Sequence, residues 1–96
     1  MKQDAIMIKD VDNVATALKD LKAGETYEVS RGKGSRSITM RDPIGYGHKF
    51  AMLDITKGEN IIKYGEVIGR ATADIPQGSH AHVQNIESLR GRGDLK

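Results

Sequence analysis

Glycine spacing is the feature of this sequence that most restricts its fold. The chain has 96 residues and 11 glycines, and beyond Gly24 each apolar segment is short before a turn-forming residue follows. Glycine readily adopts the left-handed backbone conformations that tight turns require. The sequence therefore predicts one domain, mainly β, in which short strands are joined by tight turns. No internal repeat is evident.

The predicted strands begin with the apolar run Ala5–Ile8, which is typical of a buried strand. The most apolar stretch, Lys49–Ile55, is predicted to be a central strand. Gly, Pro and Asp separate the remaining candidates, which are 26–29, 37–41, 61–62, 67–68, 71–73 and 80–83. Residues 87–96 are polar and glycine-rich, so we expect a mobile tail unless a partner binds it.

A single α-helix is predicted near the N-terminus, between Asp12 and Gly24. Apolar residues recur there at helical spacing, at positions 14, 15, 17, 18 and 21. Asp12 or Asn13 suits the cap of the first turn, and Gly24 suits the helix C-terminus. The pattern leaves open whether the strands form a barrel, a clip or a folded ribbon.

Composition and charge argue against several classes of protein. Fifteen basic and 13 acidic residues give a net charge of +2, which is too small to favour nucleic-acid binding. Because cysteine is absent, disulfides, thiol nucleophiles and cysteine metal sites are excluded. No apolar run approaches the roughly 20 residues that span a bilayer, and the N-terminus lacks the apolar region of a signal peptide. A cytoplasmic protein is expected by default.

Three histidines are the main candidates for chemistry. His80 and His82 are two residues apart, which places both imidazoles on one face of a strand, and His48 follows a Gly-Tyr-Gly turn. Such a group can bind a divalent metal with a position open for substrate. Histidine also acts as a general acid or base near neutral pH. The plainer interpretation is that each histidine is a surface or hydrogen-bonding residue.

Cationic and hydroxyl-bearing side chains flank the same turns. A substrate rich in carboxylate and hydroxyl groups needs donors of this kind. Taken alone, such residues more often form surface salt bridges of little energetic value. The candidates for substrate binding are Lys49, Lys63, Tyr64 and Arg70.

Several motifs, in their order along the chain, resemble the N-terminal region of altronate and galactarate dehydratases. They are Gly47–Ile55, Lys57–Glu59, Ile62–Glu66 and His80–His82, with Asp12–Ala15 before them and Ser88–Asp94 after them. Nearly the whole chain is covered. The resemblance implies a SAF-type β-clip over residues 1–86, a ribbon of short strands folded back on itself. It also implies that residues 87–96 lead toward a larger catalytic partner.

The resemblance implies a hydro-lyase that removes water from a hexonic or hexaric acid and gives a 2-keto-3-deoxy acid. Such a reaction needs a base, an acid and a cation, here a divalent metal, iron or manganese. We therefore expect His48 and His82 as catalytic residues and His80 and His82 as metal ligands. The catalytic bulk of these enzymes lies in a larger region. The chain is thus expected to be a small subunit that is inactive without a large partner, which holds most of the metal, and it could also form homo-oligomers.

One position departs from the family. Members often carry a third histidine in an H-x-H-x-H-N run, and here that position is Gln84. The small subunit of sulfolactate sulfo-lyase belongs to the same wider group, so sulfite could be the leaving group instead of water. A non-catalytic module that binds a sugar acid or a metal, and a structural oligomerisation domain, are the remaining alternatives.

Overall fold

The computed structural model describes residues 4–31 and 34–88, which form nine strands in two sheets. The strands are β1 (Ala5–Met7), β2 (Val14–Ala17), β3 (Thr26–Arg31), β4 (Gly34–Thr39), β5 (Lys49–Ala51), β6 (Asn60–Lys63), β7 (Glu66–Ala71), β8 (His80–Ala81) and β9 (Ile86–Ser88). The larger sheet has the order β4-β3-β1-β2-β5-β8, and the smaller has the order β6-β7-β9. β1 and β3 are parallel, and the other described pairs are antiparallel.

The prediction of a mainly β chain with short strands is therefore confirmed. Of the predicted tail, residues 87 and 88 belong to β9, and the remainder lies outside the described residues, as does part of the turn after Arg31. In the described part of the chain, no helix is long and apolar enough to cross a membrane.

The predicted N-terminal helix is wrong. Residues Val14–Ala17 form β2, which pairs with β1 and β5, and no helix occurs within residues 4–31 and 34–88. Gly24, expected to end the helix, lies in a turn with a φ of 87°. Asp12, expected to cap it, is buried, and its carboxylate accepts hydrogen bonds from the backbone N–H groups of Ile8, Lys9 and Gly65.

Burial of β2 on both faces explains why its sequence resembles a helix. Val14 packs in one apolar cluster, while Ala15 and Ala17 pack in the other. A strand covered on both sides carries consecutive apolar residues instead of an alternating pattern. Consecutive apolar residues also satisfy the spacing of a helical face, so periodicity alone does not distinguish the two structures.

Two apolar clusters form the core, and β2 and β5 lie between them. The larger contains the single phenylalanine, Phe50, which is fully buried, and the smaller contains the neighbouring Ala51. Successive residues of a strand point to opposite faces, so each of these two strands contributes to both clusters. The core thereby fixes the start of β5, which begins at Lys49 and directly follows His48.

Four turns share one backbone design. Each has a buried aliphatic residue followed three positions later by a glycine with positive φ; the pairs are Leu21 and Gly24, Ile44 and Gly47, Ile55 and Gly58, and Ile75 and Gly78. The aliphatic residues pair as two isolated bridges, Leu21 with Ile44 and Ile55 with Ile75. The interpretation that the chain has no internal repeat is therefore wrong at the level of these turns.

An aspartate before the aliphatic residue ties three of these turns to their partners. Asp54 accepts a hydrogen bond from the backbone N–H of Gln77, and Asp74 accepts one from Lys57, so this pair of turns is reciprocal. In the other pair, Asp20 accepts from the backbone N–H of Tyr46, but the residue before Ile44 is Pro43. In this pair of turns, only one aspartate side chain accepts a hydrogen bond from the backbone of the other turn.

Candidate functional site

The three histidines lie together at one end of β5 and β8. Their ring centroids are separated by 5.2 Å (His48 to His80), 5.3 Å (His48 to His82) and 5.5 Å (His80 to His82). His48 directly precedes β5, His80 begins β8, and these strands pair with Phe50 opposite His80. Residues separated by more than 30 positions in the sequence thus form one imidazole cluster.

Backbone hydrogen bonds fix the position of each histidine. The backbone N–H of His48 donates to the carbonyl of Gly45 and closes the turn that carries His48. The carbonyl of His48 accepts from the N–H of Ala17 at 2.9 Å, which joins this turn to β2. The N–H of His80 donates to the carboxylate of Asp42 at 2.9 Å. Asn85 accepts from the N–H of His82 and donates to the carbonyl of His80. The cluster is therefore built on a well-bonded backbone.

His80 is bonded to its neighbours through both ring nitrogens. Its Nε2 lies 3.0 Å from Nδ1 of His48, and its Nδ1 lies 3.3 Å from the amide nitrogen of Gln84. Partial burial lowers the pKa of the His80 imidazole, and the positive charges of His48 and His82 lower it further. The ring is therefore held in its neutral form more strongly than an exposed histidine.

Lys49 lies beside the histidines and is half-buried. Burial lowers the pKa of its ammonium group, and the positive charge of Lys63 lowers it further. Among the described residues neither lysine forms an ion pair with a carboxylate. Two cations without a counter-ion favour an anionic ligand here.

A cleft of about 330 Å³ opens next to Lys49 and His82. Its remaining walls are mostly apolar and are formed by Ile68, Val83, Ile86 and Ser88. Small-molecule sites commonly combine apolar walls with a few polar groups that orient the ligand. The cleft therefore gives Lys49 and His82 a shared open volume.

Lys63 and Tyr64 line a neighbouring hollow of about 350 Å³, together with Glu66 and Ile68. Ile68 borders both spaces, so the two adjoin. Lys63 Nζ lies 4.9 Å from the centre of the Tyr64 ring. Tyr64 has a φ of 55° in the two-residue turn between β6 and β7, a backbone conformation that a bulky residue rarely adopts. Such conformations cluster at functional sites.

Arg70 differs from the other predicted substrate-binding residues. Its guanidinium forms an ion pair with Glu87 at 2.9 Å, across β7 and β9. A substrate carboxylate would have to displace Glu87 before Arg70 could bind it. The structure therefore brings Lys49 to the histidines, places Lys63 and Tyr64 at the adjoining hollow, and engages Arg70 in an ion pair with Glu87.

The histidines do not form a ready-made metal site. Within residues 4–31 and 34–88, no group of three histidine or acidic side chains is arranged to hold a metal ion. Of the predicted ligands, His80 has both ring nitrogens in hydrogen bonds, which leaves His82 as a single available donor. Catalytic metal sites usually have three protein ligands. The residues present here do not make such a site by themselves.

Two supporting residues of the site escaped the sequence analysis. Asp42 holds the N–H of His80, and Asn85 holds the turn between His80 and Ile86. Asn85 has a local signal, because an asparagine three residues after His82 is suited to accept its backbone N–H. Asp42 has none, because its partner is 38 residues away.

Two exposed apolar side chains border the histidines. Tyr46, two residues before His48, is 71% exposed, and Val83, next to His82, is 79% exposed. Exposed apolar groups around polar residues are frequent at protein–protein contacts.

A family model for the SAF domain of altronate/galactarate dehydratase matches residues 3–89 of the chain. Altronate dehydratase of Escherichia coli (strain K12) is 48% identical over 83 residues, which is 86% of this chain and 16% of the relative. Galactarate dehydratase (L-threo-forming) of the same organism is 42% identical over 76 residues, covering 77% of this chain and 13% of the relative. The chain thus spans between about an eighth and a sixth of the dehydratases that it matches.

A shorter relative is (2R)-sulfolactate sulfo-lyase subunit alpha of Chromohalobacter salexigens. It is 43% identical over 51 residues, which is 53% of this chain and 54% of the relative. The same kind of chain therefore occurs as a part of large dehydratases and in a protein named as one subunit of a lyase.

Proposed function

Because the chain belongs to the family of altronate/galactarate dehydratase SAF domains, we propose that it supplies part of a sugar-acid dehydratase active site. The reaction removes water from a hydroxy acid and gives a 2-keto-3-deoxy acid. The remainder of the site comes from a much larger catalytic partner, since the chain corresponds to only 16% of altronate dehydratase. The chain alone is then inactive.

The observation that carries this proposal is the pair of lysines, Lys49 beside the imidazoles and Lys63 at the adjoining hollow, for which the described residues provide no ion pair. Lys49 and Lys63 attract a carboxylate, and the Tyr64 hydroxyl at the adjoining hollow donates to or accepts from a substrate hydroxyl. Imidazoles at the same place offer proton transfer at neutral pH. Binding groups and proton-transfer groups for a hydroxy acid thus share one surface, but the chain has no complete set for the reaction.

The divalent metal, iron or manganese, belongs mainly to the larger partner in this proposal. The described residues of this chain offer only the ring of His82 and Nε2 of His48 without hydrogen bonds, and that is too few for a site of their own. Such a metal stabilises the negative charge that develops when the α proton is removed. This chain orients the substrate and excludes water from the metal-facing side.

We place the partner over the histidine face and the enzyme in the cytoplasm. Tyr46 and Val83 would become buried in that contact, while the cleft beside Lys49 would be closed from solvent. Closure strengthens the electrostatic interactions of the lysines with the substrate. Self-association of the chain would be compatible with this arrangement if it leaves the histidine face open.

Reconstitution tests the proposal. The chain and a separately produced large dehydratase chain are assayed alone and mixed, with altronate and galactarate as substrates and with iron or manganese present. We expect activity only in the mixture. Lys49→Met in the mixture should raise KM at least tenfold, whereas the matched variant Lys57→Met, at an exposed turn, should leave it unchanged. Full dehydratase activity from this chain alone would overturn the shared site.

A sulfo-lyase is the second candidate, favoured by the relative named as a subunit alpha. A sulfonate is an anion like a carboxylate, so the lysine pair suits both. Measuring sulfite release from sulfolactate in the same mixtures distinguishes the two reactions. A third outcome, tight calorimetric binding of sugar acids or metals to the chain without any activity in the mixtures, would identify a binding module.

A further inference from the structure

His80 makes hydrogen bonds at all four of its polar positions. Its ring nitrogens contact His48 and Gln84, its N–H donates to Asp42, and its carbonyl accepts from Asn85. The residue is therefore fixed in place, and neither of its ring nitrogens is open to a substrate. Its contribution to the site must pass through the residues it contacts.

The amide nitrogen of Gln84 is the atom that faces Nδ1 of His80, at 3.3 Å. An amide NH₂ group only donates, so Nδ1 of His80 is an acceptor. A neutral imidazole has a single N–H, so the proton of His80 is on Nε2, and Nε2 donates to Nδ1 of His48. Nδ1 of His48 is then unprotonated, which leaves the proton of a neutral His48 on its own Nε2.

We infer that Gln84 and His80 are positioning residues that hold His48 in the tautomer that donates from Nε2 and thereby prevent this nitrogen from being the base. His48 is exposed, and within residues 4–31 and 34–88 no group bonds its Nε2. That nitrogen already carries a proton and cannot accept one. It can donate to an oxygen of a hydroxy acid, either a carboxylate or a hydroxyl.

His82 is the imidazole left for proton abstraction. Its described hydrogen bonds are made by its backbone, both of them with Asn85. Its ring nitrogens have no protein partner among the described residues, and the ring borders the cleft with Lys49. One nitrogen of a neutral imidazole has a free electron pair that accepts a proton. This division of roles rests on the proposed function, whereas the tautomers of His48 and His80 do not.

The tautomers are measured directly on this chain by long-range ¹H–¹⁵N correlation spectra at about pH 8, where histidine is neutral. We expect the proton on Nε2 of both His48 and His80. Gln84→Glu replaces the donor by a carboxylate, which only accepts. It should move the proton of His80 to Nδ1, and that of His48 to Nδ1 as well. Gln84→Leu removes the donor without adding an acceptor and should leave a mixture of tautomers.

Gln84 is exposed, so these variants should fold, and their backbone amide spectra verify it. A proton on Nδ1 of His80 in the unmodified chain, or unchanged tautomers in Gln84→Glu, would overturn the inference. Neither measurement needs a partner or a substrate. The tautomers can therefore be as inferred even if the reconstituted mixture has no dehydratase activity. Conversely, the mixture can be active while the tautomers differ from those inferred.

The reconstituted enzyme tests the consequence for catalysis. His48→Gln keeps an N–H donor near the position of Nε2, so we expect kcat to fall less than about tenfold, a small loss in barrier terms. His82→Gln removes the base and should cost about 10²–10⁴ in kcat. Equal losses in both variants would contradict the assignment of His48 as a donor.

Discussion

The carboxylate of Asp42 accepts a hydrogen bond from the backbone N–H of His80 at 2.9 Å. This contact joins the turn that leads to His48 with the strand that carries His80. It therefore controls the distance between two imidazoles that are remote in sequence. Hydrogen bonds to charged groups are stronger than those between neutral groups.

Replacement of Asp42 should loosen the cluster more than it destabilises the fold. For Asp42→Ala we expect a loss of about 1–3 kcal/mol in the free energy of unfolding, as for other hydrogen bonds to charged groups. The His48–His80 hydrogen bond should weaken, with changed ring resonances of both histidines. Asp54→Ala, which breaks the analogous contact with Gln77, should cost similar stability but leave the histidine resonances unchanged. Equal histidine shifts in both variants would argue against a specific role.

Gly78 should tolerate alanine far less well than Gly24. Both have positive φ, 85° and 87°, which costs an ordinary residue about 1–2 kcal/mol. A Cβ at Gly78 would also lie 2.2 Å from the carbonyl oxygen of Thr39, whereas nothing lies within 4 Å of one at Gly24. Chemical denaturation of the two alanine variants should show a loss for Gly78→Ala that exceeds that for Gly24→Ala by at least about 2 kcal/mol. Similar losses would contradict the close approach.

The chain should become less stable as the solution is acidified. His80 has a pKa below its ordinary value of 6.5 in the folded state, so the unfolded chain binds its proton at higher pH than the folded chain does. The contribution of neutral His80 to the free energy of unfolding is fully present above pH 6.5 and is lost as the pH falls below that value. Burial and the charges of His48, His82 and Lys49 oppose protonation, while Asp42 favours it.

Urea denaturation between about pH 5 and pH 8 tests this dependence over the range in which histidine titrates. In His80→Gln, the midpoint should change less with pH than in the unmodified chain. If the urea midpoint changes with pH equally in the two chains, the titration of His80 does not cause the pH dependence of stability. His82→Gln is the matched comparison, because the ring of His82 has no protein hydrogen bond among the described residues.

Lys49→Met should separate stability from function. Its ammonium is half-buried beside Lys63, and both burial and that neighbour oppose its charge in the folded state. Methionine keeps the apolar stem without the charge, so the variant should be as stable as the parent or more so. Affinity for a carboxylate should fall in the same variant. A marked loss of thermal stability would show that the lysine has a structural partner.

Part of this structure was predictable from local sequence. Glycine spacing predicts short strands because a positive φ is a local requirement, and Gly47 and Gly78 satisfy it where expected. The N-terminal helix was not excluded, since burial of Val14 and Ala15 on opposite faces depends on strands far along the chain. The spacing of apolar residues in a short segment does not show which distant strands pack against it.

The candidate site divides in the same way. His80 and His82 were expected to share a face, and their rings do lie together, although β8 ends at Ala81. The approach of His48 follows from the pairing of β5 with β8, and the role of Asp42 follows from a contact across 38 residues. Arg70 could not be assigned to Glu87 before the register of β7 and β9 was known.

The four related turns suggest how such a small scaffold can change its chemistry. His48, Glu25, Glu59 and Ser79 occupy the same place, one residue after the turn glycine, and each closes its turn with its backbone N–H, although the carboxylate of Glu59 also accepts from the N–H of Thr56. The side chain at this place is thus not needed to close the turn. Where Pro43 interrupts the aspartate pattern, the preceding Asp42 holds His80 instead of a neighbouring turn. The turn that departs from the pattern thus supplies the carboxylate that positions the imidazoles. Substitutions in this one turn could change the reactive side chains while the other three turns preserve the fold.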